Sequence, residues 1–291
     1  MHFSPVGLIE KKTKGEFRFI QHLSYPEGFS INDGIPRDLC SVQYQSIDDA
    51  VSLIQKFGPG AYMAKTDIEK AFKLVPIAPD SQHLLAFTHL DNIYYDKTLP
   101  MGLSYSCSLF EKFSTALQWI ATEKLGVPGC VHILDDFMFV SPPQYHLCLS
   151  SLQSFLRLAD ELGVPIKDEK TMLPDTVMSF MGIELDSTRM VKRLPLDKIE
   201  KIRSRLHSLK FRRKITLEEL QSLIGLLNFA CAVITPGRCF LRRLIDLTIG
   251  LKKPHHKRRL TAEAHADLKA WTVFIDEFNG TAIMLDNALA I

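Results

Sequence analysis

The feature that most constrains this chain is a pair of adjacent carboxylates, Asp135 and Asp136, set between two short apolar runs. Residues 131–134 precede the pair and residues 137–140 follow it, and both runs have the composition of buried β-strands. The pattern predicts a β-hairpin that carries the two aspartates at its tip. An ordinary turn with one aspartate in solvent is the alternative, because Asp favours turns.

A third carboxylate, Asp67, follows another apolar strand, predicted over residues 61–66. If the strands are neighbours in one sheet, the three carboxylates converge and repel one another unless divalent cations neutralise them. Oxygen ligands of this kind favour Mg²⁺ or Mn²⁺. Two such ions about 3.5–4 Å apart can clamp the attacking and leaving oxygens of a phosphoryl transfer. Taken alone, Asp67 is equally compatible with a solvated strand end or a helix cap.

The composition identifies the kind of protein but not its partners. The 291 residues include 35 Lys and Arg against 33 Asp and Glu, so the net charge is near zero, while the 46% of hydrophobic residues is typical of a folded globular protein. The six cysteines form no C-x-x-C pair, which favours reduced thiols in an intracellular setting. The N-terminus lacks the apolar core of a signal peptide, and the longest apolar stretch is short for a bilayer. We therefore expect a soluble protein.

Periodicity and turn residues divide the chain into an α+β part and a helical part. Ser46 has the capping-box spacing to Asp49 at the start of the first helix. The predicted helices are 46–57, 105–125, 145–162, 196–209, 217–231, 238–249 and 262–278. The predicted strands are 16–20, 61–66, 74–77, 84–88, 93–95, 131–134 and 137–140, with a hairpin arm over 177–185. Beyond residue 195 the pattern predicts helices throughout, and we expect a subdomain boundary there.

Five motifs follow one another along the chain in a fixed order. They are Asp67 with Ala71-Phe72, Leu99-Pro100-Met101-Gly102-Leu103, Leu134-Asp135-Asp136, Gly163-Val164-Pro165 with Lys170, and Phe180-Met181-Gly182. In this order the motifs resemble the palm of a reverse transcriptase. More narrowly, the set is similar to the enzymes of DIRS-like, tyrosine-recombinase retrotransposons, with retroviral and Ty3-like enzymes as more distant relatives. The resemblance extends from about residue 4 to about residue 240. It implies an α+β right-hand polymerase fold, in which a palm sheet is joined by fingers, a helical thumb and a connector.

The resemblance also implies roles for single residues. Asp67, Asp135 and Asp136 match the catalytic, metal-binding aspartates, and Ile68 matches the neighbour whose backbone approaches the triphosphate at the metal site. The implied nucleotide-binding residues are Lys11, Lys12, Arg18, Phe72, Met101, Gly102 and Lys170, and the implied primer grip is Phe180, Met181 and Gly182. Phe72 matches the steric gate whose ring excludes a ribose 2′-hydroxyl. Arg18 and Lys170 suit contacts with phosphate oxygens.

Other interpretations of these residues remain open. Phe72 is equally an ordinary core aromatic, Lys170 a solvated charge, and Phe180-Met181-Gly182 a buried strand with a turn glycine. The sequence also departs from the family pattern at two positions. Ile133 stands where a Tyr is common, and Met101 stands where a Gln is frequent. We expect these changes to alter contacts with the primer end and the nucleotide, and to leave the three aspartates unaffected.

The second half of the chain carries the positive charge that a nucleic-acid partner needs. Ten Lys and Arg residues lie between Lys192 and Lys214 against two acidic residues, and residues 252–259 add a second basic cluster. Such a stretch favours sequence-independent contacts with phosphates, although a solvated helix face is the alternative. On this basis residues 1–190 are expected to form fingers and palm, 191–250 a thumb, and 251–291 a connector leading toward an absent ribonuclease H domain. The abrupt start at the fingers strand suggests a fragment of a longer polyprotein.

The resemblance implies RNA-directed DNA synthesis with Mg²⁺ as cofactor, or with Mn²⁺. The implied partners are deoxynucleoside triphosphates and a primer on an RNA or DNA template, without a membrane, in the cytoplasm or nucleus. A catalytically silent, transposon-derived remnant that binds nucleic acid is the alternative function. An RNA-synthesising polymerase is disfavoured by Phe72.

Overall fold

The structure is a computed structural model that describes residues 2–10 and 15–284. Lys11 and Lys12, two of the expected nucleotide-binding residues, lie outside the described residues. The chain divides into two compact units. The first comprises Met1–Asp49 and Met63–Pro174, and the second comprises Ala50–Tyr62 and Asp175–Ile291. The boundaries of fingers, palm, thumb and connector are functional assignments and stay predictions.

The described residues form strands, helices and short 3₁₀ turns. In chain order the strands and helices are β1 (Val6–Glu10), β2 (Phe17–Gln21), α1 (Ile47–Phe57), β3 (Tyr62–Asp67), α2 (Pro79–Gln82), β4 (Ala86–His89), β5 (Asn92–Tyr95), α3 (Ser106–Glu123), β6 (Cys130–Ile133), β7 (Asp136–Ser141), α4 (Tyr145–Glu161), β8 (Met172–Asp175), β9 (Val177–Phe180), β10 (Ile183–Asp186), β11 (Val191–Arg193), α5 (Leu196–Leu209), β12 (Lys214–Thr216), α6 (Leu217–Ala230), α7 (Arg242–Asp246), β13 (Lys257–Arg259), α8 (Ala262–Phe278) and β14 (Thr281–Ile283). The 3₁₀ turns are Asn32–Gly34, Arg37–Cys40, Ala71–Leu74, His83–Leu85, Asp168–Lys170 and Thr235–Phe240.

The first unit is organised by a four-stranded sheet with the order β6-β7-β3-β8. The predicted hairpin is confirmed, because β6 and β7 pair antiparallel with Ile133 opposite Asp136. Phe137 and Phe139 of β7 are fully buried, and their ring centroids lie 4.8 and 5.1 Å from that of Phe155 on α4. Alternating aromatic residues therefore anchor one strand of the hairpin in the core, as the apolar run in the sequence predicts. The sheets β1-β2 and β4-β5 complete this unit.

The second unit combines a sheet of order β14-β11-β10-β9, the pair β12-β13 and the helices α5 to α8. Trp271 of α8 is fully buried and anchors the helical core. Helix α6 begins with a capping box in which the Thr216 side chain accepts from the Glu219 N–H, while the Glu219 carboxylate accepts from the Thr216 N–H. None of the helices among the described residues is both long and apolar enough to cross a bilayer.

Three predictions of secondary structure are wrong. Residues 74–77 form no strand: a 3₁₀ turn ends at Leu74, and Pro76, which lacks an N–H to donate, makes an isolated bridge with Thr98. The strand predicted from residue 84 begins only at Ala86. In the segment predicted to be wholly helical, β12, β13 and β14 pair as strands. Residues 238–249 are α-helical only over α7, and residues 238–240 lie in a 3₁₀ turn. Local periodicity cannot detect such three-residue strands, since their partners lie far away in the sequence.

Candidate active site

Three aspartates lie at the ends of neighbouring strands of the first sheet. Asp67 is the last residue of β3, Asp136 is the first residue of β7, and Asp135 lies in the two-residue tip between β6 and β7. The backbone N–H of Ile68 donates to the carbonyl oxygen of Asp135 over 2.9 Å. This bond joins the end of β3 to the hairpin tip. The carboxylates of Asp67, Asp135 and Asp136 are therefore close enough to interact electrostatically, as the sequence predicts.

The segment around Lys170 lies against the end of β3. The Lys167 N–H donates to the Asp67 carbonyl oxygen and the Glu69 N–H donates to the Pro165 carbonyl oxygen, both over 2.8 Å. The 3₁₀ turn that follows carries Lys170, whose Nζ lies 2.5 Å from Oδ2 of Asp67. The motif Gly163-Val164-Pro165 thus acts through its backbone to bring the lysine to the carboxylates.

Burial and mutual repulsion raise the pKa values of the two hairpin carboxylates. Burial raises the pKa of Asp136 to about 6, and the charges of Asp67 and Asp135 act in the same direction while Lys65 and Lys170 oppose them. Burial is also the main cause that raises the pKa of Asp135. The hydrogen bond to Asp67 raises the pKa of Lys170, so this lysine stays protonated. The site therefore concentrates negative charge that Lys65 and Lys170 only partly compensate.

A cleft of about 620 Å³ opens beside these carboxylates. Its lining brings together several residues expected at the site, namely Arg18, Asp67, Ile68, Phe72, Met101, Asp135 and Lys170. The cleft is large enough for a drug-sized or nucleotide-sized ligand. It holds cationic groups and carboxylates on its walls, as a site for a phosphate ester with bound cations requires.

The loop before α3 and the turn after β3 shape this cleft. Phe72 packs edge-to-face on the buried Phe110, with ring centroids 5.6 Å apart. Met101 is 47% exposed, and Gly102 has a φ of +98° that L side chains rarely adopt. A Cβ on Gly102 would lie 3.3 Å from the Gln21 carbonyl oxygen. Glycine at this position therefore permits a close approach of two backbone segments.

Two polar residues that the sequence patterns do not indicate support these loops. Asn32 donates through Nδ2 to the Gly102 carbonyl oxygen and accepts through Oδ1 from the Ser104 N–H, each over 2.9 Å. Glu111 of α3 is buried and accepts from the N–H of Leu134 at the hairpin tip. For Glu111 the sequence offers one indication, namely a charged residue on the apolar face of a predicted helix. A buried carboxylate at such a position needs polar partners.

The expected primer-grip residues lie in the second unit. Phe180 ends β9 and is fully buried, while Met181 and Gly182 form the left-handed turn to β10 with φ values of 49° and 75°. A Cβ on Gly182 would lie 3.3 Å from the Phe229 ring. The predicted hairpin arm is therefore confirmed as structure, and its role in binding a primer stays a prediction.

Several residues of the basic stretch are engaged in ion pairs. Arg193 contacts Glu184 and Asp186 at 2.6 and 3.0 Å, and Arg212 contacts Glu219 at 2.8 Å. Arg203 lies 3.5 Å from Asp276. These acidic partners reduce the positive charge that the sequence alone suggests for this surface.

The carboxylates of Asp67, Asp135 and Asp136 are chemically suited to a divalent cation, because clustered carboxylate oxygens are hard ligands. Their side chains are not arranged as a complete set of metal ligands. Within residues 2–10 and 15–284, no three His, Cys, Asp or Glu side chains form a group able to hold a metal ion. The ion pair between Lys170 and Oδ2 of Asp67 gives a physical reason, since it engages one of the carboxylate oxygens that a metal would use.

Comparisons with known proteins identify the class to which a protein with this fold and this site belongs. Two foamy viral protease–reverse transcriptase structures superpose on the chain with a TM-score of 0.67 at 22% identity. One is a complex with double-stranded DNA, where the match covers 97% of this chain and 44% of that one. The other is a complex with an RNA/DNA hybrid, where it covers 97% and 34%. The predicted right-hand polymerase fold is thereby confirmed.

Residues 9–185 match the family described as reverse transcriptase (RNA-dependent DNA polymerase), and the chain belongs to this family. Protein P of duck hepatitis B virus (strain China) is 29% identical over 164 residues, which are 56% of this chain and 20% of that protein. The Gag-Pro-Pol polyprotein of Mason-Pfizer monkey virus is 24% identical over 289 residues, which are 94% of this chain and 14% of the polyprotein. The chain thus spans about a fifth or less of the length of these relatives.

Proposed function

We propose that this chain is an RNA-directed DNA polymerase that adds deoxynucleotides to the 3′ end of a primer. The observation that carries the proposal is the grouping of Asp67, Asp135 and Lys170 on one cleft, with Asp136 beside them, in a chain of the reverse transcriptase family. Template-directed synthesis by phosphoryl transfer needs positioning and charge stabilisation more than covalent chemistry, and this site is rich in charge.

The position of each candidate active-site residue supports a specific role in nucleotide addition. Two divalent cations, Mg²⁺ or Mn²⁺, held by Asp67, Asp135, Asp136 and the backbone of Ile68 would supply charge neutralisation at the reacting phosphate. Lys170 and Arg18 line the cleft and can contact triphosphate oxygens. The ring of Phe72 also lines the cleft, where it can exclude a ribose 2′-hydroxyl.

The template–primer is the proposed macromolecular partner. The basic residues between Lys192 and Lys214, in the proposed thumb, suit contacts with phosphates that do not depend on sequence. Phe180, Met181 and Gly182 are the proposed primer grip. The proposed organisation is fingers and palm over 1–190, thumb over 191–250 and connector over 251–291.

A DIRS-like retrotransposon is the proposed origin of the chain, with a cytoplasmic or nuclear setting. The relatives reported above are hepadnaviral and retroviral, so this narrower origin rests on the motif sequence alone. A sequence comparison restricted to retrotransposon polymerases, with residues 4–240 as the query, tests it.

Primer extension on a poly-rA/oligo-dT template with Mg²⁺ tests the proposed activity. The matched variant is Asp135→Asn, which keeps the size of the side chain and removes its charge. We expect extension by the unmodified protein and its loss in the variant, with circular dichroism showing that both are folded. Tight binding of template–primer without extension by the unmodified protein would instead support the silent nucleic-acid-binding remnant.

A further inference from the structure

A buried carboxylate supports the tip of the hairpin that carries Asp135 and Asp136. Glu111 lies on α3, is 7% exposed, and accepts through Oε2 the backbone N–H of Leu134 over 2.9 Å. Leu134 precedes Asp135 and has a φ of +51°, a left-handed conformation that a leucine rarely adopts. A hydrogen bond donated to a fixed side chain can compensate for the cost of such a conformation.

The second oxygen of Glu111 faces a buried histidine on the same hairpin. His132 of β6 is 2% exposed, and its Nδ1 lies 2.5 Å from Oε1 of Gln118. Gln118 donates through Nε2 to the carbonyl oxygen of Cys130 over 2.6 Å, which identifies its other terminal atom as the oxygen. Nδ1 of His132 is therefore the nitrogen that carries a hydrogen and donates to Gln118.

This tautomer leaves Nε2 of His132 as the nitrogen opposite Glu111. Nε2 lies 3.3 Å from Oε1 of Glu111 without the geometry of a hydrogen bond, and it has no hydrogen-bond partner among the described residues. A nitrogen lone pair and a carboxylate oxygen repel each other at this distance unless a proton lies between them. Burial lowers the pKa of His132 to about 4 and raises the pKa of Glu111. Both effects favour a neutral imidazole and a protonated carboxyl.

Other groups border the buried pair of Glu111 and His132. Tyr44 and Cys107 interact electrostatically with each other, and Tyr44 also with Glu111. The backbone N–H of His132 donates to Oε1 of Gln45 over 2.8 Å, so the histidine is fixed on its backbone side as well. The His132 ring is thus held at its backbone N–H and at Nδ1, with Nε2 facing the Glu111 carboxyl group.

We propose that Glu111 is a positioning residue for polymerisation, which stays protonated opposite Nε2 of His132 and holds Leu134 so that Asp135 faces the cleft with Asp136 beside it. The proposal rests on the proposed function, since it assigns the two aspartates to the reaction. The hydrogen bond from the Ile68 N–H to the Asp135 carbonyl oxygen then couples the position of the hairpin tip to the end of β3.

The first test compares Glu111→Gln with Glu111→Leu. The glutamine oxygen can accept from Leu134 while its amide donates to Nε2 of His132, so this variant reproduces the neutral pair. We expect Glu111→Gln to keep the rate of nucleotide addition within a few-fold of that of the unmodified protein. We expect Glu111→Leu to lower that rate by about 10- to 100-fold, the loss usual for residues that orient a reactive group, with unchanged affinity for template–primer.

A matched control separates positioning from packing. Ser114 is fully buried on the same helix, and its Oγ has no hydrogen-bond partner among the described residues. We expect Ser114→Ala to leave the rate unchanged. The double variant Glu111→Leu with Leu134→Gly should recover part of the lost rate, because glycine adopts the left-handed conformation without support. A purely structural role of Glu111 predicts no such recovery.

A readout that does not depend on activity keeps the two proposals distinguishable. Hydrogen exchange of the Leu134 amide should be slow in the unmodified protein and in Glu111→Gln, and faster in Glu111→Leu. The ¹⁵N shifts of His132 should report a neutral ring with the proton on Nδ1. If no protein extends a primer but exchange behaves as expected, the proposed function fails and the hairpin support stands. Equal rates in all three proteins, or equal loss in Glu111→Gln and Glu111→Leu, would overturn the inference.

Discussion

The Nζ of Lys170 lies 2.5 Å from Oδ2 of Asp67, although the two residues are 103 positions apart in the sequence. The aspartate side chain is 10% exposed and the lysine side chain 52%, so the cation reaches in from the solvent side to a buried carboxylate. Lys170 also lowers the pKa of both Asp135 and Asp136. Lys170 therefore partly offsets the burial and the mutual repulsion that raise these two pKa values.

Replacement of Lys170 should slow nucleotide addition more than it affects folding. We expect Lys170→Met to lower the rate by about 10²-fold, the usual cost of losing one charged donor to the reacting group. Lys170→Arg keeps the charge and should retain part of the rate. Thermal unfolding should change little, since a pair with a half-exposed lysine contributes about 1 kcal/mol or less. A large fall in melting temperature with an unchanged rate would contradict this role.

The rate should rise with pH across the range in which the hairpin carboxylates ionise. Both folded-state pKa values are raised, and that of Asp136 lies at about 6, so the carboxylate forms that can bind a cation are lost as pH falls through this value. Lys170→Met removes a charge that lowers these pKa values, so its rate profile should shift to higher pH. Single-turnover rates from pH 5 to pH 8 measure this shift. If the pH–rate profile of Lys170→Met is the same as that of the unmodified protein, Lys170 does not affect the ionisation of these aspartates.

Truncation of Phe72 should relax the selection against ribonucleotides. Its ring lines the cleft and rests on Phe110, so Phe72→Ala opens space where a 2′-hydroxyl would lie. We expect the preference for deoxynucleotides to fall at least about 10-fold. Phe113 also contacts Phe110 but does not line the cleft, which makes Phe113→Ala the matched control. Equal selectivity in both variants would show that Phe72 is an ordinary packing residue.

Glu219 should make the second unit sensitive to acid. Its hydrogen bond from Arg212 is the main cause that lowers its pKa to about 2, below the ordinary value of 4.5. A lowered folded-state pKa adds stability above about pH 4.5 that is lost as pH falls toward 2. Glu219→Gln can keep the capping box but loses the charge, so its urea midpoint should depend less on pH. Glu219→Ala should also lose about 1 kcal/mol of capping at neutral pH. An unchanged pH dependence in Glu219→Gln would contradict the assignment.

Gly237 should be intolerant of any side chain. A Cβ at this position would overlap the ring of the buried Trp271. We expect Gly237→Ala to lower the free energy of unfolding by about 1–3 kcal/mol through overpacking. Gly225 lies within α6 with open space around its Cα, so Gly225→Ala should raise stability by about 0.5–1 kcal/mol. Denaturant unfolding should show a lower free energy of unfolding for Gly237→Ala and a higher one for Gly225→Ala; changes of the same sign would contradict the packing described.

Local sequence patterns predicted much of the scaffold of the site. The apolar runs around Asp135 and Asp136 correctly indicated a hairpin, and helices α5 and α8 have the predicted bounds. Such features depend on periodicity and turn chemistry within a few residues, which are visible along the chain. The three-residue strands β12 to β14 were missed because their pairing is decided by distant partners.

The sequence by itself determined which residue types are available: three aspartates at strand ends, an aromatic after the first of them, and a lysine beyond a glycine–proline turn. Only the tertiary structure decided that Lys170 pairs with Asp67, and that Glu111 of α3 contacts the hairpin at Leu134 and His132. The physical reason is that the periodicity of a segment specifies which face is buried, whereas the partner of a buried polar group depends on how distant segments pack.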